Sequence, residues 1–76
     1  MRYYFRTTDD DQVRDREGEE FADDAAARRE AVLVFAELFR DRGELFWVQG
    51  RFRVTVTDAD GRCVGDVTAT ARQTAE

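Results

Sequence analysis

Phe52-Arg53-Val54-Thr55-Val56-Thr57, then Asp58-Ala59-Asp60-Gly61-Arg62, then Cys63-Val64-Gly65-Asp66-Val67-Thr68-Ala69-Thr70-Ala71 form two alternating runs around a turn-forming segment. Successive strand residues point to opposite faces of a sheet, so the first run sends Phe52, Val54 and Val56 inward and Arg53, Thr55 and Thr57 outward. The second groups Cys63, Gly65, Val67, Ala69 and Ala71 on one face, and Val64, Asp66, Thr68 and Thr70 on the other. Asp58 to Arg62 carries the Asp and Gly expected of a hairpin connection. A three-residue loop at 59–61 would pair Thr57 with Cys63 and set Val54 against Asp66. An even loop, either Asp60-Gly61 or Ala59 to Arg62, pairs Asp58 with Cys63, Val54 with Val67 and Phe52 with Ala69. A slip of one residue would move every side chain to the wrong face, so the even loop is expected, with Cys63 facing inward.

Upstream of the hairpin lies a helix. Ala25 to Arg42 holds no Gly or Pro and many strong helix formers. Asp23 or Asp24 supplies an N-cap, and Gly43 is the expected C-cap, with Arg40 and Arg42 placed favourably in the last turn. At 100° per residue, Ala27, Ala31, Val34, Phe35 and Leu38 share the stripe that should pack on the sheet. Val32 and Phe39 flank that stripe, and Leu33 lies on the opposite side. Leu45-Phe46-Trp47-Val48 follows as a dense apolar run, readable as strand or loop, that either covers an open end of the core or forms an interface.

Arg2 to Thr8 is aromatic and β-branched and reads as a strand, with Tyr3, Phe5 and Thr7 on one face. Asp9-Asp10-Asp11 ends it. Gln12 to Arg14 is a candidate short second strand, and Glu19 to Phe21 is extended and leads into the helix. Arg72 to Glu76 reads as a frayed tail. Together the elements predict a single α+β domain, order β-β-α-β-β, with one helix on one face of a three- to four-stranded antiparallel sheet.

Composition limits what such a domain can do. The chain has 76 residues, of which 42% are hydrophobic, with six Phe, two Tyr and one Trp. That suffices for a small core and argues against disorder, although domains of this size lie near the lower limit for folding alone. His, Lys, Ser, Asn, Pro and Ile are absent, which removes the Ser and Lys nucleophiles, the His base and the His metal ligand. The single Cys63 cannot close an internal disulfide. With no secretory signal evident and no long apolar run, a reducing, cytoplasmic setting without membrane contact is expected. Asp58-x-Asp60-Gly61 differs from a calcium loop, which needs a third oxygen ligand before its Gly, a Glu near position 12 and helical flanks. No metal, cofactor or catalytic set is expected.

Charge is unevenly distributed. Between Asp9 and Asp24 lie nine carboxylates and two arginines, in a chain of net charge −5. Asp9, Asp10, Asp11, Asp15, Glu17, Glu19 and Glu20 form either a solvated loop or an acidic docking face for a basic partner. Direct nucleic-acid binding is disfavoured, because phosphate contacts need a basic surface. Surplus apolar residues in a small domain favour a non-catalytic protein-interaction module that self-associates through Phe46, Trp47, Val32, Phe39 and Leu33. The other reading is an acidic inhibitor or nucleic-acid mimic.

Several blocks of residues resemble a family of short bacterial proteins that is itself a domain of unknown function. They are Met1-Arg2-Tyr3-Tyr4-Phe5, Asp15-x-x-Gly18-x-Glu20-Phe21-x-Asp23, Ala27-Arg28-x-Glu30-Ala31 and Phe52-x-Val54-x-Val56-x-Asp58-x-Asp60-Gly61-Arg62. The chain departs from that pattern in lacking a Pro after Met1 and in carrying Ala22-Asp23-Asp24 at the helix entry. The resemblance implies a small domain and brings no activity, cofactor or catalytic residue with it.

Overall fold

The computed structural model describes residues 1–7 and 17–74. Strand β1 (Arg2–Thr7), a two-residue β2 (Glu19–Glu20), helix α1 (Asp24–Gln49), β3 (Arg51–Asp58) and β4 (Cys63–Thr70) follow one another along the chain. The strands make one antiparallel sheet in the order β2-β1-β3-β4, and α1 covers one face of it. The β-β-α-β-β order is the expected one. The second strand is Glu19–Glu20, paired with Arg2 and Tyr3; Gln12 to Arg14 lies outside the described residues. No described helix is long and apolar enough to cross a membrane.

The core follows from two periodicities. Alternation along β1 and β3 buries Tyr3, Phe5, Phe52, Val54 and Val56, and the helical stripe buries Ala27, Ala31, Val34, Phe35 and Leu38. These are the residues the patterns select. The two alanines let the N-terminal half of α1 sit close to the sheet, and the larger Phe35 and Leu38 fill the wider end.

The helix does not stop at Gly43. It runs on to Gln49, and Gly50 closes it in the left-handed conformation (φ 84°), its N–H bonded to the carbonyl of Phe46 at 2.8 Å. A kink at Arg42 (φ −134°, ψ 36°), next to the expected end, divides it into two helical segments. Two effects extend the helix. Glu44 to Val48 contains no helix breaker, and a helical path drops Phe46 onto the rings of Phe39 and Phe52, with centroids 4.7 and 5.0 Å away. Leu45 to Val48 is therefore a helical turn, and its apolar density divides between core and surface.

The hairpin keeps its interior register, with Val54 opposite Val67 and Phe52 opposite Ala69. Its loop end differs from expectation. Thr57, not Asp58, pairs with Cys63, because a bulge between Val56 and Thr57 puts two residues of β4 against one step of β3. The extra residue is Val64, between Gly65 and Cys63. A bulge lets the inner alternation and the odd loop coexist, a combination that a strictly regular ladder forbids. Two side chains change face as a result. Cys63, expected inward, is exposed, and Val64, expected outward, packs against the core.

Candidate functional site

A connected polar cluster lies where the start of α1 meets β1 and the β3–β4 turn. Asp23 has extended backbone angles and accepts the N–H of Ala26 at 2.9 Å, so it is the N-cap. Asp24, one residue on, is thereby free to turn toward the sheet. Its Oδ1 accepts the hydroxyl of Tyr3 at 2.6 Å, and its Oδ2 lies 3.3 Å from Nη2 of Arg62. Arg62 also places Nε 3.1 Å from Oδ2 of Asp58, whose Oδ1 accepts the N–H groups of Asp60 and Arg62.

These bonds shift the protonation equilibria. The hydrogen bond to Asp24, reinforced by burial, pushes the Tyr3 phenol up to about 12. The same hydroxyl, followed by Arg62, holds the Asp24 carboxyl below its ordinary range. Asp58 is lowered first by the backbone N–H of Arg62. A phenol raised and a carboxylate lowered move away from neutrality, whereas acid–base chemistry asks for values near it. The cluster thus acts as a staple joining β1, α1 and the hairpin. Sequence reading missed it, since Tyr3 read as core and Arg62 as turn. Among the described residues no three His, Cys, Asp or Glu side chains converge as a metal set.

The apolar residues singled out as an interface are split by the fold. Phe39 and Phe46 pack edge to face with each other and against Phe52, at 6.0 and 5.0 Å, and belong to the core margin. Val32, Leu33 and Trp47 are 55%, 59% and 47% exposed, and Val48, beside Trp47, is 77% exposed. Val32 lines a groove of about 240 Å³ between α1 and the sheet, together with Arg28, Ala31, Val56, Gly65, Asp66 and Val67. Arg28 lies across Gly65 and donates from Nη1 to the carbonyl of Val64 at 3.3 Å. Each of these flanking residues is one 100° step beyond a core-facing one: Arg28 after Ala27, Val32 after Ala31. Trp47 lies beyond the kink at Arg42, in the last turns of α1, with its ring 6.3 Å from that of Phe46. Leu33 is one further step round the helix from Val32 and does not line the groove.

Within the acidic segment, Asp9, Asp10, Asp11 and Asp15 lie outside the described residues. Glu17, Glu19 and Glu20 are exposed. Glu20 is engaged by the terminal ammonium at 2.9 Å and by Nε of Arg2 at 3.2 Å, which lower its pKa. Arg2 also donates to the carbonyl of Glu17. This part of the segment is tied to β1.

The family described as "Domain of unknown function (DUF6894)" matches residues 2–70, and the chain belongs to it. No curated protein and no solved structure matches the chain.

Proposed function

We propose that this domain is a non-catalytic protein-interaction module that associates with a second copy of itself. The observation that carries the reading is the β4 flank of α1. There Val32, about half exposed, lines a groove beside the edge strand, and Trp47, also about half exposed, lies in the last turns of the same helix. Exposed apolar clusters mark interaction surfaces, and Trp is among the residues that most often anchor interfaces. The small core gives a physical motive, because pairing two copies covers apolar surface that one chain of 76 residues leaves in water. Sedimentation of the wild type and of Trp47→Ala across a concentration series tests the reading, with circular dichroism as a folding control. A dimer that weakens in a folded Trp47→Ala variant supports it. A wild type that stays monomeric at high concentration overturns it.

A further inference from the structure

Strand β4 ends the sheet, so one of its two edges has no neighbouring strand among the described residues. The direction of its backbone groups follows from one bond. The N–H of Ala71 donates to the carbonyl of Gly50 at 2.9 Å, toward the β3 side. Backbone groups alternate between the two edges of a strand, so those of Ala69 and Val67 also point to β3, and those of Thr70, Thr68 and Asp66 point outward. Arg28 covers only the beginning of this edge, at Val64 and Gly65. From Asp66 to Thr70 the edge has no Lys and no Pro, the bulge lies at the other end, and its one charge, Asp66, is already paired with Arg53 of β3 at 2.9 Å.

We propose that β4 pairs antiparallel with β4 of a second copy about a two-fold axis at Thr68, joining two four-stranded sheets into one. This builds on the self-association reading above and specifies its geometry. The strand is complementary to itself in that register. Thr68 meets Thr68, a favourable cross-strand pair. On the helix side Val67 meets Ala69 of the second copy, and these small side chains leave room for both helices. On the open side Asp66, the only charged residue of β4, meets Thr70 and not another Asp66. Thr70 is itself the cross-strand partner of Arg51, so the register brings a guanidinium of one copy within a strand of the carboxylate of the other. Centring the axis on Asp66 would place two carboxylates face to face, and centring it on Thr70 would shorten the overlap.

The helices agree with this arrangement. Helix α1 runs alongside β4 in the same direction, with Arg28 beside Gly65 at one end and Gly50 beside Ala71 at the other. The two-fold therefore sets the Arg28 end of one helix against the Gly50 end of the other. Val32 of each copy closes the groove over the joint.

Three measurements on the full chain test the pairing. Thr68→Cys, made in a Cys63→Ala background, should form a covalent dimer on mild oxidation. Thr68 is exposed on the open face, so Thr68→Glu should fold normally while setting like charges together at the axis, weakening association about fivefold or more. The amide protons of Asp66, Thr68 and Thr70 should be protected from exchange in the dimer and lose protection on dilution. A dimer that persists in Thr68→Glu, with no cross-link through Thr68→Cys and unprotected edge amides, overturns the β4 pairing and leaves self-association standing. A monomeric wild type overturns both.

Discussion

Tyr3, buried in β1, donates its hydroxyl to Oδ1 of Asp24 at the start of α1 across 2.6 Å. This contact holds the phenol protonated and the carboxylate ionised, which makes it sensitive to pH in both directions. The folded phenol titrates at about 12 against an ordinary value of 10.0. Its stabilising contribution is therefore fully present below pH 10.0 and is lost as the pH rises through about 12. The folded carboxyl of Asp24 lies below its ordinary 3.8, so that contribution is present above 3.8 and is lost as the pH falls through the depressed value. Denaturation midpoints should be level at neutral pH and fall toward both extremes. Tyr3→Phe should be less stable at neutral pH and should flatten the alkaline fall. A phenolate absorbance titration in which Tyr3 ionises at the ordinary value would show that the bond does not govern it.

Phe46 and Trp47 are neighbours with opposite duties. Phe46 packs on Phe39 and Phe52, so Phe46→Ala should cost on the order of 2–3 kcal/mol, the low end for a partly buried ring. Trp47 stands half in solvent, and Trp47→Ala should change the stability of the monomer by less than about 1 kcal/mol. Urea denaturation at a concentration too low for association checks both. Equal losses would place Trp47 in the core.

The core and the strand order were legible because they rest on long, regular patterns. The stripe from Ala27 to Leu38 and the alternation of Phe52, Val54 and Val56 are each repeated several times, and burial follows them without exception. The misreadings lie where one residue decides the geometry. Gly43 has the right identity and position for a C-cap, yet the docking of Phe46 on Phe52 outweighs that local preference and moves the cap to Gly50. A one-residue bulge at Val64 has no compositional signature, so the face of Cys63 was read wrongly. Apolar character alone does not say which residue of a helical run turns inward, so Phe39 and Phe46 at the core margin carry the same sequence signal as the exposed Val32, Leu33 and Trp47. The free edge of β4 depends on strand order and could not be read locally.

Cys63 gives a direct check of the bulge. Its side chain is exposed at the start of β4, with the thiol 3.6 Å from the carbonyl of Gly65. Labelling of the folded protein with a thiol reagent should be stoichiometric and nearly as fast as in denaturant. Slow labelling under native conditions would restore the regular ladder and an inward Cys63.

The two glycines at the end of α1 should respond to the same substitution with opposite signs. Gly50 has a φ of 84°, where a side chain carries strain whatever the space; a Cβ there would meet only the carbonyl of Ala71, at 3.8 Å. Gly50→Ala should therefore destabilise by the conformational term alone, roughly 1–2 kcal/mol. Gly43 is not in the left-handed region, and a Cβ there would meet nothing within 4 Å. It sits inside the helix one residue after the irregular Arg42. Alanine at that position lowers the entropy of the unfolded chain and favours the helical conformation, so Gly43→Ala should stabilise by about 0.5–1 kcal/mol. Thermal or urea denaturation of the two variants beside the wild type measures the contrast. If Gly43→Ala destabilises and Gly50→Ala does not, the helix ends at Gly43, and Leu45 to Val48 leaves the helix for the extended path that its sequence also allows.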